Sequence, residues 1–437
     1  MTPSNFHPTR RHGRAVLALT ALAASLGCAL PALATDTGLP HQIVLKLRSG
    51  DSLPALLQAH RLTLSQRLGP RPVYLVRTMM GIDTTAVIAT LRADPRVHFA
   101  EPNLRLSDPE ARKSSVWAIG EAGAYTAQWA PRQLHLAAAH RLTDGRGVRV
   151  AVIDTGVDHQ HPALAGRLAP GFDFIDNDLD ASESGSASDP GHGHGTHVAG
   201  LIALSAPGAT IMPLRVLDAQ GRGNIWQVAE ALLHAADPDG NPATPDQAHV
   251  INLSLGTTTP TQLLDKVVEL VTCSDDDDDE GDEDWSDPGF NADRERCNLQ
   301  HGSVVIAAAG NGGNATERQY PAAERAEGAL AVAASTSASR VAGFSNRGAW
   351  VQIAAPGQGI TSTLPGGRYG VWSGTSMAAP LVSGLAALVK SRNPDWKPVD
   401  VTKRLQDRSA ALCGSTLRRI DAQGAVADAE PPATLCR

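Results

Sequence analysis

The chain has 437 residues, 42% hydrophobic and 19% charged, too long for one ordinary domain and too apolar for a disordered one. Its formal net charge of −7 comes from one run, 275–284 (DDDDDEGDED); without those nine carboxylates the balance is slightly basic. That excludes a nucleic-acid partner, since no basic excess neutralises phosphates, and no stretch beyond the N-terminus nears the roughly 20 apolar residues of a membrane span.

The N-terminus reads as an export signal. Arg10, Arg11 and Arg14 precede the uncharged stretch 15–30, and Ala32-Leu33-Ala34 offers the small-x-small site for a cut after Ala34. A secreted or periplasmic protein is expected. Arg10-Arg11 hints at twin-arginine export, but Gly13-Arg14 follow where apolar residues belong; Cys28 is the acylation site of a lipid-anchored alternative, with poor residues before it. Four cysteines remain after the cut: Cys273, Cys297, Cys413 and Cys436. An even count in an exported chain favours disulfides, and nearest-neighbour pairing gives Cys273–Cys297 and Cys413–Cys436. The first would close a loop of about 25 residues, worth about 3.5 kcal/mol.

Residues 42–48 (QIVLKLR) alternate like a half-buried strand. Residues 52–60 read as a helix, 73–78 as a strand, 83–92 as a helix opened by Asp83, and 96–101 as a strand, with a further strand near 62–68. The order suits a small ferredoxin-like α+β unit. Residues 107–128 are polar and mixed, as a linker would be. After Gly147, short apolar runs (148–153, 211–217, 249–253, 304–309, 329–334, 351–354) alternate with helical stretches (225–236, 262–271, 376–390). This predicts an α/β domain with a mostly parallel sheet, helices on both faces and chemistry at the carboxyl ends of the strands.

Three motifs fall where such chemistry sits. Asp154-Thr155-Gly156 follows the strand 148–153; alone it is as well explained by a turn. His192-Gly-His194-Gly-Thr-His197 admits two readings, a zinc site for a metal-dependent hydrolase or a Gly-rich turn presenting His194 before a helix that starts near Thr196. Gly374-Thr375-Ser376-Met377-Ala378-Ala379-Pro380 puts Ser376 at a helix N-terminus, where unpaired N–H groups and the positive dipole end favour a developing oxyanion; a plain Ser cap is the alternative. Asp, then His, then Ser is the chain order of subtilisin.

On these motifs the chain resembles the subtilisin-like serine peptidases from about residue 128 to 427, and residues 42–106 resemble that family's inhibitory propeptide, including Asp94-Pro95-Arg96-Val97 and Glu101-Pro102-Asn103. The resemblance implies a secreted serine endopeptidase with Ser376 as nucleophile, His194 as general base and Asp154 orienting it, and with Asn311 of Ala308-Ala309-Gly310-Asn311 in the oxyanion hole. Gly221, Gly223, Ser254, Leu255 and Gly256 would line the two edges that pair with extended substrate. The expected domains are a signal at 1–34, a propeptide at 35–107 and a peptidase at 108–437 with an acidic insertion at 273–297. The propeptide would act as intramolecular inhibitor, with cleavage between Leu104 and Ser115. No cofactor is expected for the chemistry, and a monomer acting on proteins or peptides is expected. Gly312 after Asn311, and Gln319 before Tyr320-Pro321-Ala322, point to an apolar or broad P1 preference. The family's calcium site is in doubt, because 201–209 is too short for its loop and Ala163 stands where Asp is usual; the acidic segments 237–241 and 275–284 are other calcium candidates, or solvated loops. A binding protein without activity is the remaining alternative.

Overall fold

The computed structural model describes residues 38–108, 118–274, 288–324 and 326–436. The export signal and the acidic run 275–284 lie outside the described residues.

The N-terminal unit runs strand Gly38–Leu47, helix Leu53–His60, strands Thr63–Arg67 and Val73–Arg77, helix Thr84–Arg92 and strand Val97–Ser107. Asp83 caps the second helix by accepting from the Thr85 N–H at 2.9 Å. All pairings are antiparallel, and Gly38–Leu47 lies between Val73–Arg77 and Val97–Ser107. The period of two sorts the first strand. Ile43, Leu45 and Leu47 pack with Leu56, Ile88 and Leu91 of the unit's own helices. Val44 faces the other way and joins Leu75 and Phe99 in a cluster shared with Leu263, Val267 and Phe290. The strand is therefore buried on both faces rather than one, and even Lys46 is buried.

Two boundaries differ from the sequence reading. The last strand extends to Ser107, because it gains a partner beyond the unit. The stretch read as a linker is ordered in its described part: Ala118–Gly120 pairs with strand Arg368–Trp372, and helix Ala122–Ala127 buries Tyr125, whose hydroxyl donates to the Gly200 carbonyl at 2.5 Å.

Among the described residues the main sheet has nine strands. Arg149–Asp154 and Val250–Leu253 lie side by side and parallel, Ile153 opposite Leu253. From the first, the sheet grows through Thr210–Arg215 to Phe172–Asp173; from the second, through Val304–Ala308, Ala329–Ser335 and Ile353–Pro356 to Arg418–Ile420, all parallel, with Ser409–Ala411 antiparallel at the edge. The growth direction thus reverses between Asp154 and Ser254, and such a reversal opens a crevice at the carboxyl ends of the strands. Helices His194–Ser205 and Thr375–Arg392 cover one face with Val150, Val152 and Ile306; Ile225–Ala236 and Gln262–Thr272 cover the other with Ala151, Ile153 and Val305. Cys273 is bonded to Cys297 and Cys413 to Cys436, the nearest-neighbour pairing. Among the described residues no helix is long and apolar enough to cross a membrane.

Candidate active site

Asp154 closes its strand at the crevice, buried. Its Oδ1 accepts from the Thr155 N–H at 2.7 Å and lies 2.7 Å from His194 Nδ1. His194 opens the helix His194–Ser205, two residues earlier than Thr196, so its ring is carried by the first turn. That turn comes very close to the strand end: a Cβ on Gly195 would lie 2.1 Å from the Gly156 carbonyl oxygen, so only glycine fits there. Gly193, the N-cap, has no side chain to satisfy the first N–H groups. Glu183 does so instead, accepting from the Thr196 N–H at 3.1 Å and the Thr196 hydroxyl at 2.8 Å. Burial pushes the Glu183 carboxyl up to about 8, helped by the nearby Asp154 and opposed by its hydrogen bonds.

Ser376 is fully buried in the first turn of helix Thr375–Arg392. Pro380 lies one turn on and has no N–H for the Ser376 carbonyl. Ser254 fills that gap: its Oγ donates to the Ser376 carbonyl at 3.2 Å, and the Ser376 Oγ donates to the Ser254 carbonyl, also at 3.2 Å. Behind it, the Asn252 amide donates to Ser254 Oγ at 3.0 Å and accepts from Ser383 Oγ at 2.9 Å. This polar line through the core fixes the start of the helix to the central strand. Asn311 is bound to the same turn, its Oδ1 accepting from the Thr375 N–H at 3.0 Å and the Thr375 hydroxyl at 3.1 Å.

Of the remaining sequence candidates, Gly221, Gly223 and Gly256 border the last strand of the N-terminal unit, whereas Leu255 is buried in the core. Arg222–Asn224 pairs antiparallel with the end of the N-terminal unit, Leu106 opposite Gly223 and Ser107 opposite Arg222. On the other side Ser107 and Gly256 exchange backbone hydrogen bonds at 3.2 and 3.0 Å, and the Asp108 N–H donates to the Gly221 carbonyl at 3.1 Å. One extended segment thus sits between the two edges that hold Gly221, Gly223 and Gly256. A Cβ on Gly256 would meet Gln319 Nε2 and the Tyr320 carbonyl at 2.5 Å, so Gln319 abuts this edge.

The zinc reading fails on geometry. His192 Nδ1 lies 2.9 Å from the Ser184 carbonyl, His194 faces Asp154, and His197 stacks on Trp372 at 4.8 Å with its Nε2 3.3 Å from the Gly370 carbonyl. Three imidazoles with three separate partners do not converge on an ion, and burial lowers His197 to about 3, keeping it neutral. Trp372 also stacks on His194 at 5.9 Å.

Residues 145–425 match the model of the subtilase family. The chain belongs to that family. Residues 34–103 of this subtilase match the fervidolysin N-terminal prodomain. Over 341 residues this subtilase is 37% identical to the thermophilic serine proteinase of Bacillus sp. (strain AK1), covering 76% of its own length and 72% of that protein's. It is 37% identical to thermitase of Thermoactinomyces vulgaris over 275 residues, 61% and 82% of the two lengths. Its fold is similar to that of fervidolysin from Fervidobacterium pennivorans, a keratinolytic enzyme related to subtilisin, with a TM-score of 0.68 at 23% identity; the match covers 92% of this subtilase and 63% of the fervidolysin chain.

Sequence reasoning missed Glu183, Trp372 and the pair Asn252 and Ser383. An Asn inside the apolar run 249–253 was a visible anomaly, since a buried amide needs partners. Glu183 carries no local signal, because a loop brings it to the helix.

Proposed function

We propose that this subtilase is an exported serine endopeptidase made as a self-processing zymogen, with a signal at 1–34, an inhibitory propeptide at 35–107 and the peptidase from 108. Ser376 Oγ attacks the scissile carbonyl and gives its proton to His194 Nε2. Asp154, on the opposite ring nitrogen, fixes the tautomer and stabilises the imidazolium. The Asn311 amide, oriented through its Oδ1, and the Ser376 N–H donate to the tetrahedral oxyanion. His194 then protonates the leaving amine, and water repeats the sequence on the acyl-enzyme. The residues supply this chemistry without a cofactor.

The observation that carries the reading is the seating of 105–108 between the edges at 221–224 and 254–256, beside the Asp154–His194 pair and the Ser376 helix. A bound peptide would use the same backbone bonds, so the segment acts as an internal product and the enzyme is latent until it leaves. Gly256 and Gln319 bring no charge to this edge, which supports an apolar or broad P1 preference; the enzyme acts as a monomer on protein or peptide substrates. Asp237, Asp239 and Asp246 hold carboxylate oxygens within 4.8 Å of one another, with burial and mutual repulsion raising the carboxyls of Asp237 and Asp246; a structural calcium ion would relieve that repulsion.

Fluorophosphonate labelling with intact-mass and peptide mapping tests the reading. The expected result is one label on Ser376 in a chain that has lost residues 38–106, and no processing in Ser376→Ala. A label elsewhere, or processing in Ser376→Ala, refutes it.

A further inference from the structure

The insertion that follows helix Gln262–Thr272 has no part in the chemistry above. Its described part is the turn Pro288–Phe290 and the helix Asn291–Gln300, tied back to the end of Gln262–Thr272 by the Cys273–Cys297 bond. Arg296, itself buried, adds a second tie by donating to the Leu270 carbonyl. The arm is therefore a rigid projection from the peptidase, and its outer face meets the N-terminal unit.

Beside the apolar contacts of Phe290, two contacts with basic residues of the N-terminal unit mark that meeting. Arg71, in the turn between Thr63–Arg67 and Val73–Arg77, holds Asp293 with both arms of its guanidinium, Nε to Oδ2 at 2.8 Å and Nη2 to Oδ1 at 2.5 Å. The side chains are 12% and 2% exposed, so the pair is desolvated. Lys46, on the central strand of the unit, puts its ammonium 5.5 Å from the centre of the Phe290 ring, and both residues are buried. Neither contact involves the crevice or the segment 105–108.

We propose that the arm 288–300 is a docking surface for the basic face of the propeptide, and that the Arg71–Asp293 pair, rather than the crevice contacts alone, sets how long the inhibitor stays on. The proposal rests on the inhibitory reading of the N-terminal unit. Its physical basis is an asymmetry. An intact buried ion pair contributes little net stability, but removing one partner strands the other charge in a dry site, which strongly favours separation of the two surfaces. A bidentate Arg–carboxylate pair also fixes orientation, so it selects this propeptide's turn and not merely a positive charge.

The test uses the full chain, purified as zymogen, and follows the appearance of activity on a small chromogenic peptide together with the mass of the released segment. Asp293→Asn and Arg71→Gln break the pair from opposite sides, so a folding failure in one leaves the other to be read. Each is expected to shorten the lag at least tenfold, with the double variant slower to activate than either single, because it leaves no charge stranded. The swap Arg71→Asp with Asp293→Arg is expected to restore much of the lag. Peptide hydrolysis by the matured enzyme stays unchanged, since neither residue touches the crevice. Lags within twofold of the parent in both single variants, or additive effects in the double, overturn the latch. If the unprocessed zymogen hydrolyses the peptide as fast as the matured enzyme, the inhibitory reading itself fails, a result distinct from the failure of the latch.

Discussion

Replacing Glu183 by Gln isolates one buried carboxyl beside the Asp154–His194 pair. In the folded chain its ionisation is pushed from 4.5 up to about 8, first by burial and then by Asp154, against the hydrogen bonds that favour the charged form. Between those two values the folded protein keeps a proton that the unfolded chain has released. Stability credited to the neutral carboxyl is thus complete below about pH 4.5 and is lost as pH rises through about 8. A rise of that size corresponds to about 5 kcal/mol at most. Gln accepts the same two bonds from Thr196 and does not ionise, while every other side chain is common to both proteins. Urea unfolding of Ser376→Ala chains, with and without Glu183→Gln, measures the difference without self-cleavage. The Glu183 protein is expected to lose several kcal/mol relative to the Gln protein between pH 5 and 8.5. Stability curves that run parallel over that range, within about 0.5 kcal/mol, would refute the assignment of a buried, neutral Glu183.

Asn311→Leu is expected to lower kcat by about 10²–10³ with little change in KM, the range subtilisin itself sets for losing one oxyanion donor; steady-state kinetics on a peptide checks it. Asn252→Leu removes one bond each from Ser254 and Ser383 and leaves their hydroxyls only the Ser376 and Ala379 carbonyls, and is expected to cost about 1–3 kcal/mol of stability and to lower kcat more than KM. Glu101 is buried and accepts from the Thr261 hydroxyl at 2.8 Å and from the Gln262 and Leu263 N–H groups at 3.0 Å each, so Glu101→Ala is expected to release the N-terminal unit early, read as a shorter activation lag. Replacing Cys273 and Cys297 by Ser is expected to destabilise the zymogen by up to about 3.5 kcal/mol in thermal unfolding.

Much of this was legible because it is local. The apolar runs that became strands of the main sheet lack a polar face, and only a sheet covered on both sides makes such runs. Helix Ile225–Ala236 falls on the residues its periodicity marks, and Asp83 announces the helix it caps. The hairpin of Ile360–Leu364 and Arg368–Trp372 was overlooked although Pro365-Gly366-Gly367 is a turn signal, and it supplies Trp372 to the histidine. Ala118–Gly120 was hidden for a different reason. Three residues carry no period, and their strand character is conferred by Tyr369, Gly370 and Val371 across the pairing. For the proposed site, motif and strand end singled out Asp154, His194 and Ser376 as candidates. The groups that hold them came from elsewhere in the chain: Glu183 from a loop, Asn252 from the wrong-looking place in a strand, and Ser254 through a carbonyl that Pro380 leaves over.

The contacts at the heads of two helices carry a consequence for what happens after cleavage. Glu101 serves the first N–H groups of Gln262–Thr272, and Asn103 accepts from the Trp226 N–H of Ile225–Ala236 at 3.2 Å. Under the processing proposed above, both contacts, and Val44, Leu75 and Phe99 of the shared core, leave with the N-terminal unit. The mature enzyme is then a shape inherited from a partner it no longer has. Heated or diluted from denaturant, it meets a bare apolar face and two helix starts left with only their own caps, Asn224 and Thr261, and refolds without the surface on which it was first assembled. Its working life is set by how slowly it unfolds rather than by how readily it returns.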